Sequence, residues 1–172
     1  VLAIKSAGFI SPKLLNSKMT LDFAYTLYLL MQKSGEIPKA QIKRYIQKWF
    51  VLATLTSRYI GSPESQMDRD LRAIETKGFL AFFEENEEAQ LADTFWDIRL
   101  VQNLETSSIN SPFFNTFIAA QIFFGDRSLL SASAKVSDLV SVAGDVHHIF
   151  PRAFLKDNNF NEVLPGFPWV TP

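Results

Sequence analysis

The two histidines of the chain stand side by side, His147 and His148, inside Asp145-Val146-His147-His148-Ile149-Phe150-Pro151. Imidazole titrates near neutrality, so one ring can accept a proton as a general base while a neutral ring can ligate a metal ion. A cation beside a phosphodiester would stabilise charge on its oxygens. Neighbours on a plain strand face opposite sides. The two rings therefore share a target only where a bulge or a hairpin end re-aims one of them. Pro151 would lead the chain out of the strand into a loop. A His-His pair also occurs with no chemistry at all, as an ordinary surface or core pair, and that reading stands beside the first.

Other residues invite two readings each. Arg58 and Tyr59, near a helix end, could contact a phosphate, or the arginine could cap that helix C-terminus. Trp49 and Phe50 could stack an exposed base, but their helical spacing favours the core. Asp68, Asp70 and Glu75 suggest carboxylate ligands. Positions two apart do not share a helix face, so these acids read as first-turn and surface charges. The seven glycines are scattered as caps and turns and form no phosphate-binding loop.

The elements that must position these groups are mainly helical. Leu21, Ala24, Tyr25, Tyr28 and Leu29 recur at three- and four-residue steps, and Gly35 closes that segment. After Pro38, Ile42, Tyr45, Ile46, Trp49, Phe50 and Ala53 form an apolar stripe opposite Lys39, Lys43 and Lys48. Gly61-Ser62-Pro63-Glu64 is a stop followed by a start: a terminating glycine, a cap, a proline at the first helical position and an acid in the first turn. That helix runs to about Gly78. Glu84–Glu88 reads as a solvated acidic helical face or loop. Ser111-Pro112 opens a helix over Phe113–Phe124 that is apolar around nearly its whole circumference and is expected to be buried. Residues 128–141 read as a loop with a short helix, and strand character is confined to Val146–Phe150. The fold class expected is mainly α: a helical bundle over 1–143, then a partial ββα-metal (HNH-like) element over 144–172.

Composition bounds the function. The chain has 172 residues, 47% of them hydrophobic, with sixteen phenylalanines, no cysteine and a formal charge of −1. Its length predicts about one domain with a substantial core. Without cysteine there is no disulfide framework and no thiolate metal site, which argues against a zinc-stabilised structural domain. No apolar run suits a bilayer and no secretory leader opens the chain, so a cytoplasmic protein without a membrane partner is expected. The neutral total conceals a division. Residues 1–60 carry nine basic groups against two acids, and residues 61–110 carry four against eleven. Two mutually attracting faces would explain this, as would a basic half that approaches a phosphate backbone. The apolar opening Val1-Leu2-Ala3-Ile4 and the turn-rich Val163–Pro168 suggest a piece of a longer protein.

Three stretches resemble the GmrSD-type restriction endonuclease family in the same order along the chain. They are Lys48–Tyr59 continuing through Gly61–Ser65 to Asp68 and Asp70, then Asn115–Gly125, then Asp145–Leu155, which is similar to the family's HNH signature. The resemblance spans about residues 45–160. It implies a helical middle followed by an HNH nuclease, preceded in the family by a ParB-like nucleotide-binding domain absent here, acting in prokaryotic restriction and phage defence. Carried over by position, His148 is the general base, His147 a ligand to a divalent ion (Mg²⁺ or Mn²⁺), and Asp145 a supporting residue. DNA is the implied partner, with Arg58, Arg152 and Lys156 as phosphate contacts. The family adds an Asn or His on the helix after the hairpin. Here Asn158, Asn159 and Asn161 follow early, with Asn158 and Asn161 as candidate supporting residues, and Val163–Pro172 departs from the family's continuation. One imidazole is a poor ligand set for such an ion, so the expectation is half of a nuclease site, inactive alone. A helical module that binds DNA or a partner subunit, without catalysis, is the alternative.

Overall fold

The computed structural model describes residues 1–104, 108, 110–129, 131 and 133–141, and these are helical with no strand among them apart from an isolated bridge between Arg127 and Lys135. The expected partial HNH element, residues 144–172, and its boundary at 143 lie outside the described residues. No helix among the described residues is long and apolar enough to cross a membrane.

The chain order is α1 (Leu2–Lys5), a 3₁₀ turn at Pro12–Leu14, α2 (Lys18–Ser34), α3 (Lys39–Leu55), α4 (Pro63–Lys77), α5 (Phe79–Gln90), a π-helical turn at Phe95–Leu100 running into α6 (Val101–Leu104), α7 (Pro112–Phe124) and α8 (Val136–Ser141). The stop signals act where the sequence puts them. Gly35 and Gly125 close α2 and α7 in the left-handed conformation, at φ 71° and 73°. Ser111 caps α7 by accepting from the Phe114 N–H, with Pro112 at the first helical position.

The helix α3 is the hub, packing against α1, α2, α5 and α7. Its stripe enters the core as expected: Ile42, Ile46, Trp49, Phe50 and Ala53 are all buried. The sixteen phenylalanines explain much of what they meet. Phe9 meets Phe50 edge-on at 5.0 Å, Trp49 meets Phe82 at 4.7 Å, and Tyr45 stacks on Phe83 at 5.2 Å. Such geometries add about 0.5–1.5 kcal/mol per pair beyond the area buried. A smaller cluster of Leu55, Phe95 and Phe113 joins the end of α3 to the π turn and α7. The turn after α1 comes so close to α7 that a Cβ on Gly8 would stand 1.8 Å from the Ala119 carbonyl oxygen.

Two expectations about helix faces need correction. In α2 the buried face is Thr20, Phe23, Ala24, Leu27 and Met31, while Tyr25, Tyr28 and Leu29 are exposed. Apolar residues surround most of α2, so the periodicity has more than one solution, and the side facing α3 prevails. In α7 only Phe113, Asn115, Ile118 and Ala119 are buried, and Phe117, Phe123 and Phe124 are exposed among the described residues. An all-apolar helix was expected to be buried all round, but a helix seated on the side of α3 has only one face to bury.

Candidate functional site

Of the residues singled out for chemistry, Asp145, His147, His148, Arg152, Lys156, Asn158 and Asn161 lie outside the described residues. Arg58 lies inside, and its surroundings follow from the way α3 ends. The Arg58 N–H donates to the Ala53 carbonyl and the Ser57 N–H to the Thr54 carbonyl, with Ser57 at φ 53°. This is the Schellman arrangement with serine where glycine usually sits. The backbone therefore caps α3, and the guanidinium does not. The turn instead aims the Arg58 and Tyr59 side chains at α4.

There they meet Asp70. Arg58 donates from Nε and Nη2 at 2.8 and 2.5 Å, the Tyr59 hydroxyl donates at 2.7 Å, and Gln66 Nε2 donates at 2.9 Å. The carboxylate is 2% exposed. It is thus a buried acceptor of four hydrogen bonds, which corrects the expectation that Asp70 is a surface charge. Asp68, two residues earlier, is the exposed one, pairing with Arg72 one turn on. The Arg58 guanidinium also lies 5.0 Å from the Trp49 ring centroid, within cation–π range. Burial opposes charge on Arg58, but the hydrogen bonds and charge of Asp70 outweigh it and raise its pKa. Burial, followed by the negative charge and hydrogen bond of Asp70, pushes the Tyr59 phenol well above its ordinary range. Two of the fork's five N–H donors are spent on Asp70 and the side chain is only 13% exposed, so little of Arg58 is free for a DNA phosphate. Trp49 and Phe50 are 2% and 1% exposed and are core, not a stacking platform.

The charge division has the same structural consequence. Two ion pairs, Lys48–Glu87 and Arg58–Asp70, join the basic first third to the acidic segment.

An open groove of about 530 Å³ runs between α3, α5 and α7. Its lining includes Arg44, Lys48 and Val51 of α3, Phe83, Glu84 and Glu87 of α5, Ala120 and Phe123 of α7, and Trp96 of the π turn. Sequence reasoning missed it because its lining comes from four separate stretches.

No family model, curated protein or solved structure matches the chain.

Among the described residues, no group of three or more His, Cys, Asp or Glu side chains is placed to hold a metal ion. The helical body therefore lends no ligand cluster to a divalent cation. Within the heptad the donors are the His147 imidazole and the Asp145 carboxylate, far short of the oxygen-rich octahedron that Mg²⁺ requires. These residues alone do not fit the ion.

Proposed function

We propose that the chain is the helical portion, with part of the catalytic motif, of a DNA endonuclease that hydrolyses phosphodiester bonds in a prokaryotic restriction or phage-defence system. His148 is the general base that takes a proton from the attacking water, His147 is the ligand side of the site, and Asp145 is a supporting residue. The observation carrying this reading is the sequence of the heptad Asp145–Pro151, whose acid, two imidazoles and proline resemble the HNH signature in type and spacing. The mainly helical body before it is compatible with that placement. Imidazole suits the role because its ordinary pKa lies near the working pH, where a base can both accept and release a proton.

The donor shortage adds a second expectation. Without further ligands the two imidazoles do not assemble an active centre, so the 172-residue chain leaves supercoiled plasmid intact in Mg²⁺ or Mn²⁺. The longest product of the encoding gene cuts it, and both His147→Ala and His148→Ala abolish cutting. Cleavage by the 172-residue chain alone refutes the shortage argument. Cleavage by the longest product that survives His148→Ala refutes the nuclease reading.

A specific observation favours a second reading, a helical binding module. Arg58 is held by Asp70 inside the fold, and the open feature of the body is an apolar groove rather than a basic cleft. On this reading, a module that binds DNA or a partner subunit without catalysis, the longest gene product leaves DNA uncut with or without its histidines.

A further inference from the structure

From the groove between α3, α5 and α7 we infer a small-molecule site for a planar aromatic molecule bearing a single carboxylate, independent of any nuclease activity. Its volume, about 530 Å³, falls in the range of ligand clefts, and aromatic walls with a few polar groups at the rim are their usual make-up. Tyr45 and Phe83 stack on each other, at 21° and 5.2 Å, and close the α3–α5 side. The Trp96 indole is held by its Nε1 donating to the Leu91 carbonyl at 2.9 Å. A planar ring fits such surfaces, since stacked and edge-on contacts both reward flat π systems.

Charge selects the head group. The α3 side carries Arg44 and Lys48 one turn apart, and the α5 side carries Glu84 and Glu87. Lys48 and Glu87 neutralise each other at 2.7 Å. Among the described residues neither Arg44 nor Glu84 makes an ion pair, and both are exposed. An arginine fork presents paired donors that match a carboxylate. Glu84 and Glu87 in the same lining disfavour a polyanion such as a nucleic acid backbone, so the groove suits one negative charge lying against Arg44.

The test is titration of the ¹⁵N-labelled 172-residue chain with 2-naphthoate, and separately with uncharged 2-naphthol, reading the Trp96 indole N–H signal. The expected result is one-to-one saturation with naphthoate and weaker binding of naphthol. Ala120→Trp, which fills the groove from α7, abolishes the shift. Arg44→Gln weakens naphthoate by about two- to fivefold and Glu84→Gln tightens it by a similar factor, the scale of exposed ion pairs, while neither changes naphthol binding. The last pair of variants keeps the test decisive if Ala120→Trp fails to fold, because both side chains are exposed. Non-saturating shifts, binding that persists in a folded Ala120→Trp, or naphthoate that Arg44→Gln does not weaken or Glu84→Gln does not tighten each overturn the proposal.

Discussion

Replacing Asp70 by alanine should be among the most damaging single changes in the described body, and its magnitude follows from what is left behind. The carboxylate is 2% exposed and receives hydrogen bonds from Arg58 Nε and Nη2, Tyr59 Oη and Gln66 Nε2. In Asp70→Ala the Arg58 side chain, only 13% exposed, becomes a buried charge without a counter-ion, and the Tyr59 hydroxyl becomes a buried donor without an acceptor. Breaking a buried pair from one side costs about 3–5 kcal/mol, and for a chain of this length each kcal/mol lowers Tm by about 2–4 °C. The expected loss is therefore roughly 6–20 °C, read by thermal circular dichroism, with a matching fall in the urea midpoint at unchanged slope. The double variant Arg58→Met with Asp70→Leu should recover much of it, since apolar replacement of a buried pair is often neutral. Recovery stays incomplete because Tyr59 and Gln66 still lack their acceptor, a penalty of about 1–3 kcal/mol for a buried donor. A loss under about 1 kcal/mol in Asp70→Ala, or a double variant as unstable as the single, contradicts the claim that this cluster latches α4 onto the end of α3.

The same cluster sets an alkaline limit. The folded Tyr59 phenol titrates above its ordinary value of 10.0, so the unfolded chain releases that proton first and stability falls as pH rises beyond about 10. Unfolding midpoints between pH 9 and 11.5 should decline more steeply for the wild type than for Tyr59→Phe, and equal slopes refute the linkage. Gly8→Ala should cost more than about 1 kcal/mol, because the position has φ 94° and its Cβ would run into backbone at Ala119; a urea midpoint shift near zero contradicts the close approach of the Gly8 turn to α7. Ser57→Gly should raise stability by about 1 kcal/mol, since serine at φ 53° holds a left-handed conformation that glycine adopts freely. Destabilisation in that variant would show that the serine side chain is needed there.

What the sequence made legible was local. Gly35, Ser62-Pro63, Gly78, Ser111-Pro112 and Gly125 stop and start helices through backbone conformations and caps that depend on a few neighbouring residues, and helices begin and end at those positions. The α3 stripe was legible because its polar and apolar faces are cleanly separated. Helix α2, apolar on several sides, could not reveal which side meets α3. Asp70 was unreadable for a different reason. A surface acid and a buried acid look alike until the partner is placed, and its main partner stands twelve residues earlier, beyond a turn. A signal was nonetheless present: Asp70 is spaced four residues from both Gln66 and Ile74, on the face of α4 that buries Ile74. The groove gave no signal of its own, being assembled from helices far apart in the chain. The reading of the His147–His148 heptad rests on its residue types and order.

Chemical rescue probes that heptad most directly. His148→Gly is prepared in the longest product of the encoding gene, and cleavage of end-labelled duplex DNA is followed in Mn²⁺ with and without added imidazole. The account predicts an inactive variant whose cutting returns as imidazole is added, with a pH profile that follows the free base. A glycine variant that cuts as well as the wild type, or one that imidazole leaves inert while its fold and DNA binding are intact, contradicts a proton-accepting role for His148.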